Sequence, residues 1–370
     1  MMKEPIGIYL HIPFCRRKCA YCDFFSGTGD EAAFDRYTDT LEARIRYWGN
    51  VAAEPVASIY FGGGTPSILG TERLCRLLNA VQTSFDVCAD AEITFEANPE
   101  SGKALDFEKL RAQGFNRLSV GLQTAVSREI TTLGRIHTPD EAALTVSRAR
   151  QAGFDNISLD LMMGIPDQTV ASLRQSIDFC IGCGVRHISS YLLKIEEGTR
   201  FYSIKEQLNL PDEDEQARLY LFAAEHLEKN GFPQYEISNF AQKGYESRHN
   251  TLSWRCGEYI GIGPAAYSFY RGKRFHYERS LSDFAENRIV EDGDGGDCEE
   301  YVMLALRLRA GLVFEDYERR YGRELSPALL KKLGQFQRAG FLELDRRHVS
   351  LTPKGFLVSN SLLAEILDLL

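Results

Sequence analysis

The stretch Tyr9-Leu10-His11-Ile12-Pro13-Phe14-Cys15-Arg16-Arg17-Lys18-Cys19-Ala20-Tyr21-Cys22-Asp23-Phe24-Phe25 governs how the rest of the chain is read. It runs from a strand-like segment, Ile6–Ile12, into three cysteines spaced C-x3-C-x2-C. Offsets of four and seven also describe one face of a helix. Pro13 and the basic run Arg16-Arg17-Lys18 fit a packed helical stripe poorly. Positive charge in an accessible loop lowers thiol pKa and favours thiolate ligation. A structural zinc site wants four Cys or His ligands, and His11 would have to fold back from its strand to complete one. An iron–sulfur cluster matches better: three thiolates on four irons leave one iron open to a substrate or cofactor.

Working outward, strand-like runs recur at Ala57–Phe61, Ala91–Ala97, Arg117–Leu122, Asn156–Met162 and Arg186–Leu192. Helical periodicity follows each strand, over Ala32–Trp48, Thr71–Phe85, Leu105–Gln113, Pro139–Ala152, Ala171–Cys180 and Glu213–Lys229. Six βα units predict a parallel sheet, doubly wound or curled into a barrel. Thr138-Pro139 reads as an N-cap and N1 pair, and Gly114, Gly153, Gly184 and Gly231 as left-handed C-caps.

This cysteine spacing at the end of the first of six βα units resembles the radical SAM superfamily, over roughly residues 5–240. The resemblance implies a [4Fe–4S] cluster on Cys15, Cys19 and Cys22. Its open iron would chelate the amino and carboxylate groups of S-adenosylmethionine and pass one electron to the sulfonium, yielding a 5′-deoxyadenosyl radical. Gly62-Gly63-Gly64-Thr65-Pro66 follows the second strand, at a strand C-terminus where parallel sheets bind ligands. Glu96 ends the third strand, where a carboxylate can accept ribose hydroxyls. Gln123 ends the fourth, and Arg135 follows in Leu133-Gly134-Arg135. Asp160 interrupts an apolar strand in Asp160-Leu161-Met162-Met163-Gly164-Ile165-Pro166; burying it unpaired is costly, which turns it toward the barrel mouth, with Arg135 as its expected partner.

Together these segments closely resemble the branch that contains oxygen-independent coproporphyrinogen III oxidase and the HemW-type haem chaperones. The resemblance assigns Tyr9, Gly63, Gly64, Thr65, Glu96, Gln123, Arg135 and Asp160 to S-adenosylmethionine and lays Tyr21 against it. The oxidase pattern has a further cysteine where Phe24 stands, and a long extension where only five residues precede Ile6. Both departures favour the chaperone type. His249-Asn250-Thr251-Leu252-Ser253-Trp254 resembles the chaperones' H-N-x-x-Y-W haem motif, with Ser253 in place of Tyr and His249 as the axial-ligand candidate. The aromatic run Tyr259, Tyr267, Phe269, Tyr270 suits either a porphyrin face or a core. The expected function is haem binding and transfer to acceptor proteins, with the cluster, S-adenosylmethionine and haem as cofactors. The oxidase, or another radical SAM enzyme, is the alternative, and whether the chain turns over a substrate stays open.

The expected architecture is α/β: a partial (β/α)6 radical SAM barrel over 1–240, an aromatic and Gly-rich connecting region over 241–296, and a small winged-helix-like α+β domain over 297–370. The acidic run Glu291-Asp292-Gly293-Asp294-Gly295-Gly296-Asp297 reads as a surface loop or linker. The chain has 370 residues and a net charge of −9, which argues against a general nucleic-acid surface. No run approaches a membrane span and no secretory signal is apparent, so the expectation is a cytoplasmic protein whose membrane association, if any, is peripheral and through haem acceptors. Nine cysteines in a reducing compartment do not suggest a disulfide framework. Cys180 and Cys183 form a second C-x2-C, expected to be buried thiols without a role.

Overall fold

The computed structural model describes residues 4–370. Strands β1 (Ile6–Ile12), β2 (Val56–Gly63), β3 (Val87–Ala97), β4 (Arg117–Gln123), β5 (Asn156–Met163) and β6 (His187–Leu192) lie in chain order and pair in parallel. The helices between them are α1 (Glu31–Val51), α2 (Gly70–Ser84), α3 (Phe107–Gln113), α4 (Pro139–Gln151) and α5 (Val170–Gly182), with α6 (Glu213–Lys229) after β6. Alternation within β1 sets its two faces. Ile6, Ile8, Leu10 and Ile12 are buried in the hydrophobic core with Leu41 and Ile45 of α1, leaving Gly7, Tyr9 and His11 on the other face. Thr138 caps α4 in a capping box with Glu141, and Gly114, Gly153, Gly184 and Gly231 all take positive φ behind their helices.

The sheet extends beyond the six parallel strands. β8 (Asn239–Ala241) pairs antiparallel with β6, and β7 (Gln234–Glu236) antiparallel with β8. On the other side β9 (Tyr259–Ile262) pairs parallel with β1, and β10 (Tyr267–Tyr270), β11 (Lys273–Tyr277) and β12 (Ile289–Asp294) continue antiparallel. Residues 241–296 therefore supply four strands of one 12-stranded sheet. The acidic run expected to be a loop corrects accordingly: Glu291–Asp294 is the exposed end of the outer strand β12. Its charges keep that edge from pairing further, and Gly293, at φ 110, sits beside an irregularity in register.

Helix α7 (Arg248–Trp254) packs on β2, at the N-terminal ends of the strands. Its first turn is anchored by the buried carboxylate of Glu92, which accepts the backbone N–H groups of Arg248 and His249, each at 3.1 Å. The C-terminal residues form helices Cys298–Ala305, Phe314–Tyr321 and Pro327–Arg338 and an antiparallel sheet of Leu312–Val313, His348–Leu351 and Leu342–Leu344. The closing helix expected over Pro353–Leu367 is two, Pro353–Leu357 and Ser359–Leu367. Backbone bonds Ile237 N–H to Arg307 (3.0 Å) and Arg309 N–H to Tyr235 (2.9 Å) join this module to the sheet.

Candidate radical SAM site and its relatives

Side chains from β2 through β6 and from the cysteine loop after β1 line one cavity of about 400 Å³. A flat sheet could not bring its first and sixth strands to one cavity, so this sheet curls around it. Cys15, Cys19 and Cys22 line it, as free, partly exposed thiols. Among the described residues, no three His, Cys, Asp or Glu side chains converge on a single metal ion. Cys15 Sγ lies 3.4 Å from Thr65 Oγ1, and Arg135 Nη1 is 3.6 Å from Cys19 Sγ. The Cys22 thiol is not lowered overall, in contrast to the expectation from the basic loop. Burial pushes it up, against the opposing pull of the Phe24 backbone N–H and Lys18.

The glycine turn works by close approach. A Cβ on Gly64 would lie 2.6 Å from the Phe14 carbonyl, and one on Gly63 would lie 2.7 Å from the His11 ring. Thr65 Oγ1 accepts Asn98 Nδ2 at 2.9 Å, which ties the turn to the end of β3. Glu96 accepts Tyr60 Oη at 2.7 Å. Burial raises its pKa to about 7, helped by the Asp160 charge and opposed by Tyr60, Arg117 and the Gly63 N–H.

Asp160 faces the cavity as expected but is not paired with Arg135. It accepts Ser119 Oγ at 2.9 Å and Ser158 Oγ at 3.2 Å, with Arg117 as its charged neighbour. Arg135 instead donates to Asn98 Oδ1 (2.7 Å) and the Gly121 carbonyl (2.5 Å), bridging β3 and β4 beneath Cys19. Its buried Nε has no partner, which leaves a donor for a bound group. Gln123 stands at φ 69, where the β4–β5 register shifts. A non-glycine in the left-handed region beside a cavity marks a site under constraint.

A sequence model of the Radical SAM superfamily matches residues 9–180, and one of the HemN C-terminal domain matches 297–358. Haem chaperone HemW of Escherichia coli (strain K12) is 37% identical, with 97% of each chain covered. Haem chaperone HemW of Bacillus subtilis is 34% identical over 97% of this chain and 98% of that protein. The chain belongs to the HemW family. The solved structure of E. coli coproporphyrinogen III oxidase (HemN) shares the fold, with a TM-score of 0.83 and 21% identity over 99% of this chain and 90% of that one. The α/β fold is thus common to this HemW-family chain and HemN, and the Radical SAM match implies a [4Fe–4S] cluster and S-adenosylmethionine.

Within this HemW-family chain, Tyr21, Gly63, Gly64, Thr65, Glu96, Gln123, Arg135 and Asp160 all line the cavity with the three cysteines. Tyr9 does not. Its hydroxyl lies 3.1 Å from His11 Nδ1, and its ring stacks with those of Tyr60 and His249. His249 is also off the cavity. It is buried with Nδ1 2.9 Å from Ser58 Oγ, and burial lowers its pKa to about 4. The haem-motif segment is dispersed by its own helix. Asn250 reaches the cysteine cavity, while Asn250, Ser253 and Trp254 line a neighbouring space of about 330 Å³ with Glu236, Tyr259 and Arg274. Of the aromatic run, Phe269 and Tyr270 are core and Tyr267 is exposed. Tyr60, Asn98, Arg117, Ser119, Ser189 and Tyr191 are lining residues that sequence reading missed. Tyr60 and Ser119 alternate with buried apolar residues along their strands, a period-2 signal that could have found them. Cys180 is fully buried.

Proposed function

We propose that this protein is a haem chaperone: it binds haem and passes it to acceptor proteins, on a radical SAM scaffold. The observation that carries this reading is the end-to-end likeness, 37% identity over 97% of both chains, to a protein named haem chaperone HemW. Phe24 supports it. In place of the oxidase's additional cysteine stands a ring 61% exposed at the wall of the cysteine cavity, a group that ligates nothing.

The donor set fits a cluster and its ligand. Cys15, Cys19 and Cys22 would hold the [4Fe–4S] cluster, which would supply one electron to a bound S-adenosylmethionine. Gly63, Gly64 and Thr65 receive the amino and carboxylate end of S-adenosylmethionine. Glu96 and Asp160 face its adenosyl side, Gln123 and Arg135 supply polar contacts, and Tyr21 covers it. Arg135 offers its unpaired Nε there. Ligation of haem iron by His249 requires its ring to leave the place it holds between Tyr60 and Ser58.

One preparation tests the reading. The anaerobically reconstituted protein is expected to bind haem, transfer it to an apo-haemoprotein, and leave coproporphyrinogen III unconverted. Efficient decarboxylation of coproporphyrinogen III would replace the chaperone with the oxidase. His249→Ala is read on the same titration: a shifted Soret band and lower affinity assign the iron to His249, and an unchanged spectrum removes it.

A further inference from the structure

Helix α7 has seven residues whose side chains divide among different surroundings. His249 lies against β2, and Asn250, Ser253 and Trp254 face the two cavities above. Arg248, Thr251, Leu252 and, at the C-cap, Arg255 remain, with the i, i+3, i+4, i+7 spacing of one helical face. That face lines a third cavity, of about 760 Å³, with Ser58 at the start of β2 and Arg309 and Ala310 of the C-terminal module. It is within the roughly 300–1,000 Å³ of small-molecule sites.

Its chemistry is amphipathic. Leu252 and Leu308 make it apolar, and Arg248, Arg255 and Arg309 charge it. Arg248 lies 3.4 Å from Asp90 and Arg309 lies 3.6 Å from Glu343, while Arg255 has no carboxylate partner among the described residues. Glu246 also lines the cavity, with its carboxylate accepting the Gly244 N–H at 2.9 Å. Two of the lining residues, Thr251 and Gln234, each carry a buried oxygen, Oγ1 and Oε1, without a hydrogen-bond partner.

We propose that this cleft binds a flat amphipathic molecule bearing carboxylates, the class to which an iron porphyrin with its propionates belongs, and that Arg255 receives a carboxylate. The proposal rests on the haem-chaperone reading and gives the cargo a place away from the cysteine cavity. Leu252 and Leu308 offer the cleft's apolar contact, and the guanidinium matches a carboxylate's two oxygens. Ser58 lines the cleft and also holds His249 Nδ1, so the imidazole lies one side chain behind the cleft wall.

The test is a haem titration of the full chain, followed at the Soret band. Arg255→Glu, at an exposed position, is expected to weaken binding about tenfold or more. Ala310→Trp, also at an exposed position, fills the cleft and is expected to weaken it comparably. Haem dimethyl ester, which lacks free carboxylates, is expected to bind the wild-type chain more weakly than haem and to bind Arg255→Glu no worse than wild type. Wild-type haem affinity in both variants overturns the cleft and leaves the chaperone reading standing. Absence of haem binding by the wild-type chain overturns both.

Discussion

Glu96 is the residue whose surroundings reach furthest into function. Its carboxyl sits at about 7 against an ordinary 4.5, because burial and Asp160 both oppose ionisation. A sulfonium-bearing ligand favours the ionised form, so binding releases the proton and affinity rises as pH climbs through about 7. Isothermal titration with S-adenosylmethionine is expected to show that rise. Glu96→Gln should bind more weakly and lose the pH dependence while keeping its iron. Unchanged affinity and slope would make Glu96 a structural residue. The cysteines allow a sharper contrast. Cys22→Ala should lose the cluster's absorbance and paramagnetic signal, and Cys180→Ala should keep both, because Cys180 is fully buried under the sheet. Equal losses would mean that the ligands are misassigned.

At the scale of elements, α7 depends on one carboxylate. Glu92 is 5% exposed and takes the helix's first N–H groups, so its removal leaves buried donors unmet. Glu92→Ala is expected to cost about 2–4 kcal/mol in chemical denaturation, the range for losing hydrogen bonds to a buried charge. Asp90→Ala, which breaks only the exposed pair with Arg248, should cost under about 1 kcal/mol. Similar costs for the two would show that Glu92 does not anchor the helix. The same helix explains why the haem-like motif does not form a single site: consecutive side chains point about 100° apart on a helix, and α7 lies where three spaces meet.

At the scale of the molecule, the join between sheet and C-terminal module carries a titrating group. Glu236 bridges to Leu308, and burial raises its pKa to about 7 against 4.5. Between those values the unfolded chain has lost this proton and the folded chain keeps it, so its contribution to stability falls as pH rises. His11, His137 and His249 act oppositely. Burial lowers each to about 4 from 6.5, so the stability they hold is lost as pH falls across that window. Glu236→Gln removes one term only. Its unfolding free energy should climb with pH more steeply than wild type, by up to about 1.4 kcal/mol per unit between about 5 and 6.5. Parallel curves would show that Glu236 ionises normally in the folded chain.

The six βα units, the cysteine loop and the glycine turn were legible in the sequence because each is local. Strand alternation, helix caps and the spacing of three thiols involve neighbours in the chain. The lining positions of Glu96, Gln123, Arg135 and Asp160 followed from their places at strand ends and turns. Arg135 serves Asn98, Gly121 and Cys19 rather than Asp160, because the loop after β4 brings it under the cysteines, and only the curl of the sheet sets that distance. For His249 the motif records the residue's identity and not its direction. Tertiary structure decided the direction: Glu92 fixes the first turn of α7, and with it which side chain meets Tyr60 and Ser58 and which face the cavities.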